Sequence, residues 1–534
     1  MIWIKYFFAS AFFTNREILL RSLLLTTLIL AFAVRLGAAL YWENRYARGE
    51  LYYGDSPGYW VLADAIAHSQ PYQYGEYGRI FRTPGYPAVI ATGMRLNEWL
   101  TGSALTYWRG RIIGALIGVG CVWLLWKIGC LAFNPAVGLC SAFWGAIYPE
   151  FVMLSVLILA DSLFCLLILA QIFFWIKTFC RPKRSLFTGL IPQNGYSEVK
   201  RASEAGEIDQ PGKQDRFPLY SALLAGFFAG FACLTRPGWL YFTPCAVILM
   251  TVVFFLLKQK EQARRQLLSG LVMTICCFAV LFPWALRNYR VSGEWIWTTC
   301  QGGPSLWDGL NPQADGSSNM LFMPKTYREV EHLVARELGL SADRRSMEER
   351  TDILKRIDRV ELDRVELNRV EEIGNQKQVD IVKQTGLFDL SQEGLERDFV
   401  ITVELETNRL LTERSLNRLT TDWSGCLHLA WIKFCRTWSP WPNQESFRSL
   451  PILLVFSLFY SLLLIFLFFG LIRASQNREF CLLFFMISGY FVFLHVIFVG
   501  SIRYRQPVLW FATIFFAWGV VQAFDRWHLR AQKI

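Results

Sequence analysis

The chain carries little charge for its length. Only 18% of its 534 residues are Asp, Glu, Lys or Arg, whereas 53% are hydrophobic and 16% aromatic. In soluble domains about a quarter of all residues are charged, so an ordinary soluble protein is excluded. Five histidines show no metal-ligand spacing, and the 13 cysteines, most of them in apolar stretches, show no paired spacing. The pattern therefore indicates neither a zinc site nor a disulfide framework.

Nucleotide-binding and hydrolase motifs are also missing. The sequence contains no G-x-x-x-x-G-K-[ST] phosphate loop, no dinucleotide fingerprint and no serine nucleophile elbow. An enzyme with this sequence would therefore bind no nucleotide in a recognisable fold. No cofactor is indicated, and the need for a divalent metal stays open.

Long uncharged stretches are what the sequence has instead. About 20 apolar residues in a helix cross a hydrocarbon core of about 30 Å. We therefore predict an all-α polytopic membrane protein with about ten, and at most about twelve, transmembrane helices. The ten spans are expected near residues 19–40, 110–132, 134–153, 160–179, 219–236, 238–257, 267–286, 449–472, 480–500 and 506–524.

The stretch Thr83–Leu100 is a candidate for an additional span, but it is short and has one polar face. We predict an interfacial helix there. With ten spans, the basic connectors Lys258–Arg265 and Cys180–Arg184 fall on the side of the N-terminus, as the positive-inside rule requires. This topology predicts a multi-pass protein, typical of a bacterial inner membrane, with both termini in the cytoplasm.

The topology divides the chain into three parts. Residues 1–287 form an N-terminal transmembrane module, with a first outer loop at 41–107 that holds juxtamembrane helices and a flexible cytoplasmic loop at 181–218. Residues 288–450 form a large, mainly helical periplasmic loop domain. Residues 451–534 form the C-terminal transmembrane helices and a basic cytoplasmic tail. The repeat DRVEL-DRVEL-NRVEE in the large loop is typical of a solvated helix, because a period of five builds no continuous apolar seam.

Several arginines at the outer ends of spans run against the positive-inside rule. Any one of them is explained by snorkelling, in which a long side chain reaches the membrane surface. Four separate sites on one face instead indicate a phosphorylated lipid, because guanidinium forks match phosphate oxygens. The residues are Arg79, Arg82, Arg236, Arg287, Arg290, Arg503 and Arg505.

Two acids lie on the same predicted side. Asp161, in SVLILADSLF, is either a functional acid beside a span or a helix N-cap. The loop sequence LYYGDSPGYW alone predicts that Asp55 is a turn residue. Aromatic rings near Asp55 either stack on a substrate or belong to an interfacial aromatic belt. The candidate stacking residues are Tyr53, Tyr59, Trp60 and Tyr86.

An ordered set of short motifs carries a family resemblance. The motifs are GDSPGYW, FRTPGYPAVIA, ADSLF, LTRPGW, PWALRNYRVSGEW, QGGPSLWDGLNP, WIKFCRTWSPWPN and RYRQPV. The set resembles the bacterial membrane glycosyltransferases of the GT-C class, more closely glycosyltransferase family 39 and the lipid A aminoarabinose transferases. The likeness extends over nearly the whole chain.

The resemblance implies transfer of a sugar from a polyprenyl-phosphate donor to an acceptor outside the membrane. It makes Asp55 the expected catalytic residue, which acts as base or orients the acceptor hydroxyl, and it makes Asp161 the second carboxylate of the site. Arg82 and Arg236 are expected at the donor phosphate, in a set that Arg287, Arg503 and Arg505 complete. The acceptor is a glycolipid, a glycan or a protein, and no nucleic acid is implied. GDSPGYW has a lone acid where the protein mannosyltransferases carry an Asp-Glu pair, so a protein acceptor does not follow.

The chemistry agrees with that resemblance. Polyprenyl phosphate is a competent leaving group, and cations that collect its charge are worth roughly a few kcal/mol each. A carboxylate that takes the acceptor's proton contributes about 10²–10⁴-fold. Direct displacement implies inversion, without the covalent intermediate of a retaining glycosidase. The alternative function is a lipid or glycolipid transporter, although the two halves of the chain show no internal repeat.

Overall fold

A computed structural model describes residues 2–51, 54–179, 219–337, 390–475 and 477–531. Within these ranges, regular secondary structure is helical apart from one antiparallel bridge between Tyr74 and Gly78. The predicted all-α class is confirmed. Tyr53, the cytoplasmic loop predicted at 181–218 and the repeat at 358–372 lie outside the described residues.

The first half of the chain contains the first loop, residues 43–106, between two long apolar helices. Its helices are α1 (Ile2–Trp42), which continues into a π-helical turn (Glu43–Ala47), α2 (Ser56–Ala67), α3 (Gly85–Thr101), α4 (Tyr107–Ala132), α5 (Pro135–Ile147), α6 (Pro149–Val156), α7 (Asp161–Phe179) and α8 (Leu219–Thr235).

The second half contains the large loop, residues 293–449, whose described part is mainly helical as predicted. The helices are α9 (Phe242–Leu256), α10 (Lys260–Ser292), α11 (Gly302–Leu310), α12 (Met323–Glu337), α13 (Leu390–Thr421), α14 (Trp423–Thr437), α15 (Leu450–Arg473), α16 (Arg478–Ile497) and α17 (Gln506–Ala531). Short 3-10 turns lie at Pro237–Trp239, Met320–Phe322 and Glu445–Phe447.

Eight of the described helical segments are long and apolar enough to cross a membrane. They correspond to α1, α4, α7, α9 with its preceding turn, α10, α15, α16 and α17. The pair α5 and α6 is bent by 58° and makes a ninth if it is counted as one span, and α8 is apolar but shorter. The chain is an integral, multi-pass membrane protein. All ten predicted stretches fall on helices, and ten as the number of spans stays a prediction.

The bend between α5 and α6 follows from Pro149. Proline lacks an N–H and forces the residue before it into an extended conformation, which Tyr148 adopts with φ −62° and ψ 120°. The carbonyls of Gly145 and Ala146, at the end of α5, each accept a hydrogen bond from Arg35 at 3.1 Å. Arg35, on α1, is fully buried. A guanidinium from a neighbouring helix thus caps the broken end of α5.

The first loop packs directly on the ends of the membrane helices. Tyr86 and Ile90 of α3 are buried with Leu159, just before α7. A Cβ on Gly85 would lie 2.5 Å from the carbonyl oxygen of Leu234, so only glycine allows α3 to begin against the end of α8. The helix predicted at 83–100 is confirmed as α3, and its location at the membrane interface stays a prediction.

Candidate active site

Five charged side chains from four separate parts of the chain meet in one group, the Asp–Arg cluster. Arg82 Nη2 lies 3.0 Å from Asp55 Oδ1, and Arg236 Nη2 lies 2.7 Å from Asp161 Oδ1. Arg503 joins the two pairs, because its Nη2 donates to Asp55 Oδ2 at 3.2 Å and to Asp161 Oδ2 at 3.0 Å. Three guanidiniums face two carboxylates, so the cluster carries one net positive charge.

The local backbone directs both carboxylates towards the arginines. Asp55 occupies the N-cap position of α2, where the sequence Ser-Pro starts the helix, but its side chain makes no capping hydrogen bond. Asp161 is the first residue of α7 and is only 3% exposed. All four carboxylate oxygens accept from guanidinium groups, an arrangement that neither a simple turn nor a helix cap requires.

The charges around Asp55 keep it ionised. Burial by itself raises the pKa of Asp55, but the nearby Arg503 and Arg82 outweigh burial and lower the pKa to about 2. Arg82 also lies over the ring of Tyr59, with 4.8 Å between its guanidinium carbon and the ring centroid. While both guanidiniums touch it, Asp55 is therefore a carboxylate of low basicity.

Two of the arginines have a further donor that makes no hydrogen bond to the acids. Within the described part of the chain, the buried Nε atoms of Arg82 and Arg236 have no hydrogen-bond partner. Buried N–H groups nearly always find an acceptor, and both arginines line the cavity described below, so these two groups are available to donate to a ligand oxygen. In the same ranges, no three His, Cys, Asp or Glu side chains come together as a metal site.

The Asp–Arg cluster opens into a cavity of about 2280 Å³. This volume exceeds the 300–1,000 Å³, roughly, of a pocket for a small ligand. One part of its lining is apolar and comes from membrane helices, with Phe164, Tyr241 and Phe493. Another part is polar and comes from the large loop, with Ser318 and Gln301. The cavity therefore suits an amphipathic ligand that presents an anionic group to the cluster.

Of the predicted aromatic residues that the structure describes, one lines the cavity and two do not. Tyr59 lines the cavity. The ring of Tyr86 is only 2% exposed and meets the Tyr59 ring edge-on, with centroids 5.1 Å apart. Trp60 packs against Tyr107 at 4.7 Å. Neither Tyr86 nor Trp60 lines the cavity, so the geometry offers Tyr59 alone of these three as a direct stacking partner.

Arg287 lies outside the Asp–Arg cluster. Its Nη1 donates to the carbonyl of Arg79 at 2.8 Å, and its Nη2 donates to the carbonyl of Tyr72 at 3.3 Å. The hydroxyl of Tyr72 in turn donates to the carbonyl of Arg82 at 3.1 Å. Arg287 therefore ties the backbone of the first loop to α10, and its predicted phosphate contact stays a prediction.

Arg505 also lies outside the cluster, although it is only two positions from Arg503. It is fully buried and forms an ion pair with Glu150, at the start of α6. Gln506 donates to the same carboxylate at 2.6 Å, and Arg505 donates to the carbonyl of Thr437 at 3.2 Å. These contacts engage the guanidinium within the protein, and the predicted phosphate contact of Arg505 stays a prediction.

Tyr504 is a cavity residue that sequence reasoning missed. Its ring lies 5.1 Å from the guanidinium carbon of Arg236 and stacks on His495, with centroids 4.5 Å apart. Its place between two arginines in RYRQPV was the available signal. The motif as a whole, rather than its basic residues alone, therefore contributes to the site.

Comparison with a family model defines part of the chain. Residues 82–192 match the family described as dolichyl-phosphate-mannose-protein mannosyltransferase. The match begins at Arg82 and includes Asp161. A search of curated proteins found no match.

A solved structure shares the fold over nearly the whole chain. The apo oligosaccharyltransferase of Archaeoglobus fulgidus is 13% identical with a TM-score of 0.50, over 96% of this chain and 52% of that one. The complex of that organism's AglB with an inhibitory peptide and a dolichol-phosphate gives 12% identity, TM-score 0.48, and 95% and 51% coverage. ArnT from Cupriavidus metallidurans bound to undecaprenyl phosphate is 11% identical with a TM-score of 0.35, over 95% of this chain and 78% of that one. This chain spans about half the length of the archaeal enzyme.

The chain thus shares the fold of the archaeal oligosaccharyltransferase, and its residues 82–192 are similar to the dolichyl-phosphate-mannose-protein mannosyltransferase family. The resemblance found in the sequence motifs is thereby confirmed.

Proposed function

We propose that the protein is an inverting glycosyltransferase that moves a sugar from a polyprenyl-phosphate donor to an acceptor on the outer side of the membrane. The observation that carries this proposal is the Asp–Arg cluster, with its net positive charge, at an amphipathic cavity. The family description of the segment 82–192, which names a dolichyl-phosphate sugar, supports the same donor class.

The donor phosphate belongs at the guanidiniums of Arg82, Arg236 and Arg503. Charge-assisted hydrogen bonds to phosphate oxygens would engage the Nε atoms of Arg82 and Arg236, which have no acceptor among the described residues. The prenyl chain would lie along the apolar part of the cavity wall, near Phe164 and Phe493. Both halves of an amphipathic donor then have a matching surface.

Transfer needs one bond to form and one to break at the anomeric carbon. The acceptor hydroxyl oxygen attacks that carbon, and the carbon–oxygen bond to phosphate breaks with both electrons leaving on the phosphate. The hydroxyl proton passes to Asp55. Arginines that contact the leaving phosphate stabilise its charge in the transition state. Attack opposite the leaving group inverts the anomeric carbon.

The arginines couple leaving-group departure to the basicity of Asp55. Arg82 and Arg503 hold the pKa of Asp55 at about 2, which disfavours proton transfer to it. A bound phosphate competes for the same guanidiniums, so their contacts with Asp55 weaken as negative charge collects on the phosphate. Loss of those contacts raises the pKa of Asp55 when the acceptor proton has to be taken up.

The proposal includes an orientation in the membrane. The Asp–Arg cluster lies at the outer surface of a bacterial inner membrane, with both termini of the chain in the cytoplasm. The basic connectors Lys258–Arg265 and Cys180–Arg184 support this orientation. A glycolipid, a glycan and a protein remain candidate acceptors, each of which supplies the hydroxyl that the step requires.

Undecaprenyl phosphate should bind the purified protein in detergent, and Arg82→Gln and Arg236→Gln should each weaken that binding. Each change removes charge-assisted hydrogen bonds to phosphate, worth about 1.5–3 kcal/mol, so we expect about a tenfold loss of affinity or more. Native mass spectrometry or microscale thermophoresis would measure the affinity. Arg95→Gln is the matched control, because the Arg95 side chain is 62% exposed on α3 and lies outside the cavity lining.

Unchanged affinity in both cluster variants, or no binding by the wild-type protein, would contradict the proposed donor site. The alternative function, lipid or glycolipid transport, predicts binding as well, but not chemistry. Release of undecaprenyl phosphate from a sugar-linked donor by the purified protein therefore separates an enzyme from a transporter.

A further inference from the structure

Glu404, on α13 of the large loop, binds the backbone of the first loop. Its Oε2 accepts the N–H of Arg79 at 2.9 Å, and its Oε1 accepts the N–H of Ile80 at 3.0 Å. Glu404 is 3% exposed and Ile80 is fully buried. A carboxylate thus fixes two successive amides just before Arg82.

Neighbouring contacts close around the same segment. The carbonyl of Ile80 accepts from the N–H of Cys300 at 3.1 Å. Tyr77 packs among Val330 and Val403 of the large loop, and its hydroxyl donates to Glu331 at 2.6 Å. The segment that leads to Arg82 is therefore held by contacts with several separate parts of the large loop.

Lys433, on α14 of the large loop, binds the end of α16. Its Nζ donates to the carbonyl of Ile497 at 2.7 Å and to that of Val496 at 3.3 Å. Lys433 is fully buried. A cation at the C-terminus of a helix satisfies carbonyls that have no partner within the helix.

The chain between Ile497 and Arg503 also follows the large loop closely. The N–H of Gly500 donates to the carbonyl of Gly316 at 2.9 Å, and the N–H of Ile502 donates to Asn443 Oδ1 at 2.8 Å. A Cβ on Gly309 would lie 2.0 Å from the carbonyl oxygen of Phe498, so α11 touches this chain at a glycine. The path to Arg503 is thus fixed by the large loop as well.

We propose that the large loop positions the Asp–Arg cluster, and that Glu404 and Lys433 are its two positioning residues, one for Arg82 and one for Arg503. Both residues are buried, where an ionisable group is costly unless its hydrogen bonds are specific. Burial raises the pKa of Glu404 to about 7, although the two backbone hydrogen bonds oppose that rise, and it lowers the pKa of Lys433 to about 8. Apolar residues would fill both places at lower cost. The contacts of Glu404 and Lys433 with the segments that lead to Arg82 and Arg503 therefore explain why ionisable residues are present there.

Hydrogen exchange of the full-length protein in detergent tests the two contacts separately and needs no ligand. Glu404→Leu should speed amide exchange about tenfold or more in peptides covering residues 77–83, and leave residues 496–504 unchanged. Lys433→Met should do the reverse, so each variant is the control for the other. Glu404→Gln keeps an oxygen acceptor and should retain most of the protection at residues 77–83. Unchanged exchange in both segments, or a general rise along the chain in all three variants, would overturn the proposal.

The consequence for the site rests on the proposed function and is measured with undecaprenyl phosphate. Glu404→Leu and Lys433→Met should each weaken its binding, and Glu404→Gln should restore affinity to within about threefold of wild type, since an acceptor is kept. Local exchange changes with unaltered affinity would overturn the positioning role. If the wild-type protein binds no lipid phosphate, the proposed function fails, and the exchange pattern still decides whether the large loop holds the two segments.

Discussion

Asp55→Asn should lower the rate of sugar transfer by about 10²–10⁴-fold, because an amide cannot take the acceptor's proton. Asparagine keeps the size of the side chain and one oxygen for Arg82 or Arg503, so the fold should be retained. The measurement is release of undecaprenyl phosphate from the sugar-linked donor that the wild-type protein uses, with a membrane extract as the source of acceptor.

Two controls separate a catalytic defect from a structural one. Asp64→Asn, on the same helix, should transfer at the wild-type rate, because the Asp64 side chain is 51% exposed and pairs with His68. Affinity for undecaprenyl phosphate should be equal or tighter in Asp55→Asn, since a negative charge beside Arg82 and Arg503 is removed. A transfer rate within a few fold of wild type in Asp55→Asn would rule out Asp55 as the base.

Arg505→Met should destabilise the protein by about 3–5 kcal/mol, because it leaves the carboxylate of Glu150 buried without its cation. The side chains of Arg505 and Glu150 are 0% and 3% exposed, so water cannot replace the lost partner. A lower midpoint of thermal unfolding in detergent, followed by intrinsic fluorescence, is the expected result.

The double variant Arg505→Met/Glu150→Met supplies the decisive comparison. Replacing both members of a buried ion pair by apolar side chains is often nearly neutral, so the unfolding midpoint should recover much of the loss. Affinity for undecaprenyl phosphate should stay close to wild type in the double variant. Loss of affinity for undecaprenyl phosphate in the double variant, together with unchanged stability in the single variant Arg505→Met, would instead identify Arg505 as a phosphate ligand.

The helical architecture could be predicted because hydropathy and length determine where a chain can cross a membrane. The short α8 was harder to anticipate, because its stretch is apolar throughout most of its length. The bend between α5 and α6 has a local signal in Pro149 and Glu150, but the sequence does not show what holds it. What makes the bend stable is Arg35, a residue of α1 whose partners Gly145 and Ala146 lie far along the chain. No local pattern contains that contact.

The candidate site shows the same limit. Topology placed the charged ends of separate spans on one face, and the structure brings Asp55, Arg82, Asp161, Arg236 and Arg503 together there. Arg287 and Arg505 gave the same signal in the sequence, a basic residue at the end of a span. Their partners, two backbone carbonyls for Arg287 and the carboxylate of Glu150 for Arg505, come from distant segments, so only the fold distinguishes these two arginines from the cluster. The catalytic and phosphate-binding roles of the cluster residues stay predictions until the variants are measured.

Assembly of the Asp–Arg cluster from four parts of the chain limits how the protein can be divided. The segment 82–192 contains Arg82 and Asp161, but Asp55 precedes it, and Arg236 and Arg503 follow it. A truncated form that ends with α16, at Ile497, would lack Arg503, whose guanidinium joins the two acids. Two co-expressed pieces divided in the cytoplasmic loop predicted at 181–218 could restore the cluster only by docking their helices correctly. Recovered lipid-phosphate binding in such a split protein would therefore show that the two pieces associate correctly in the membrane.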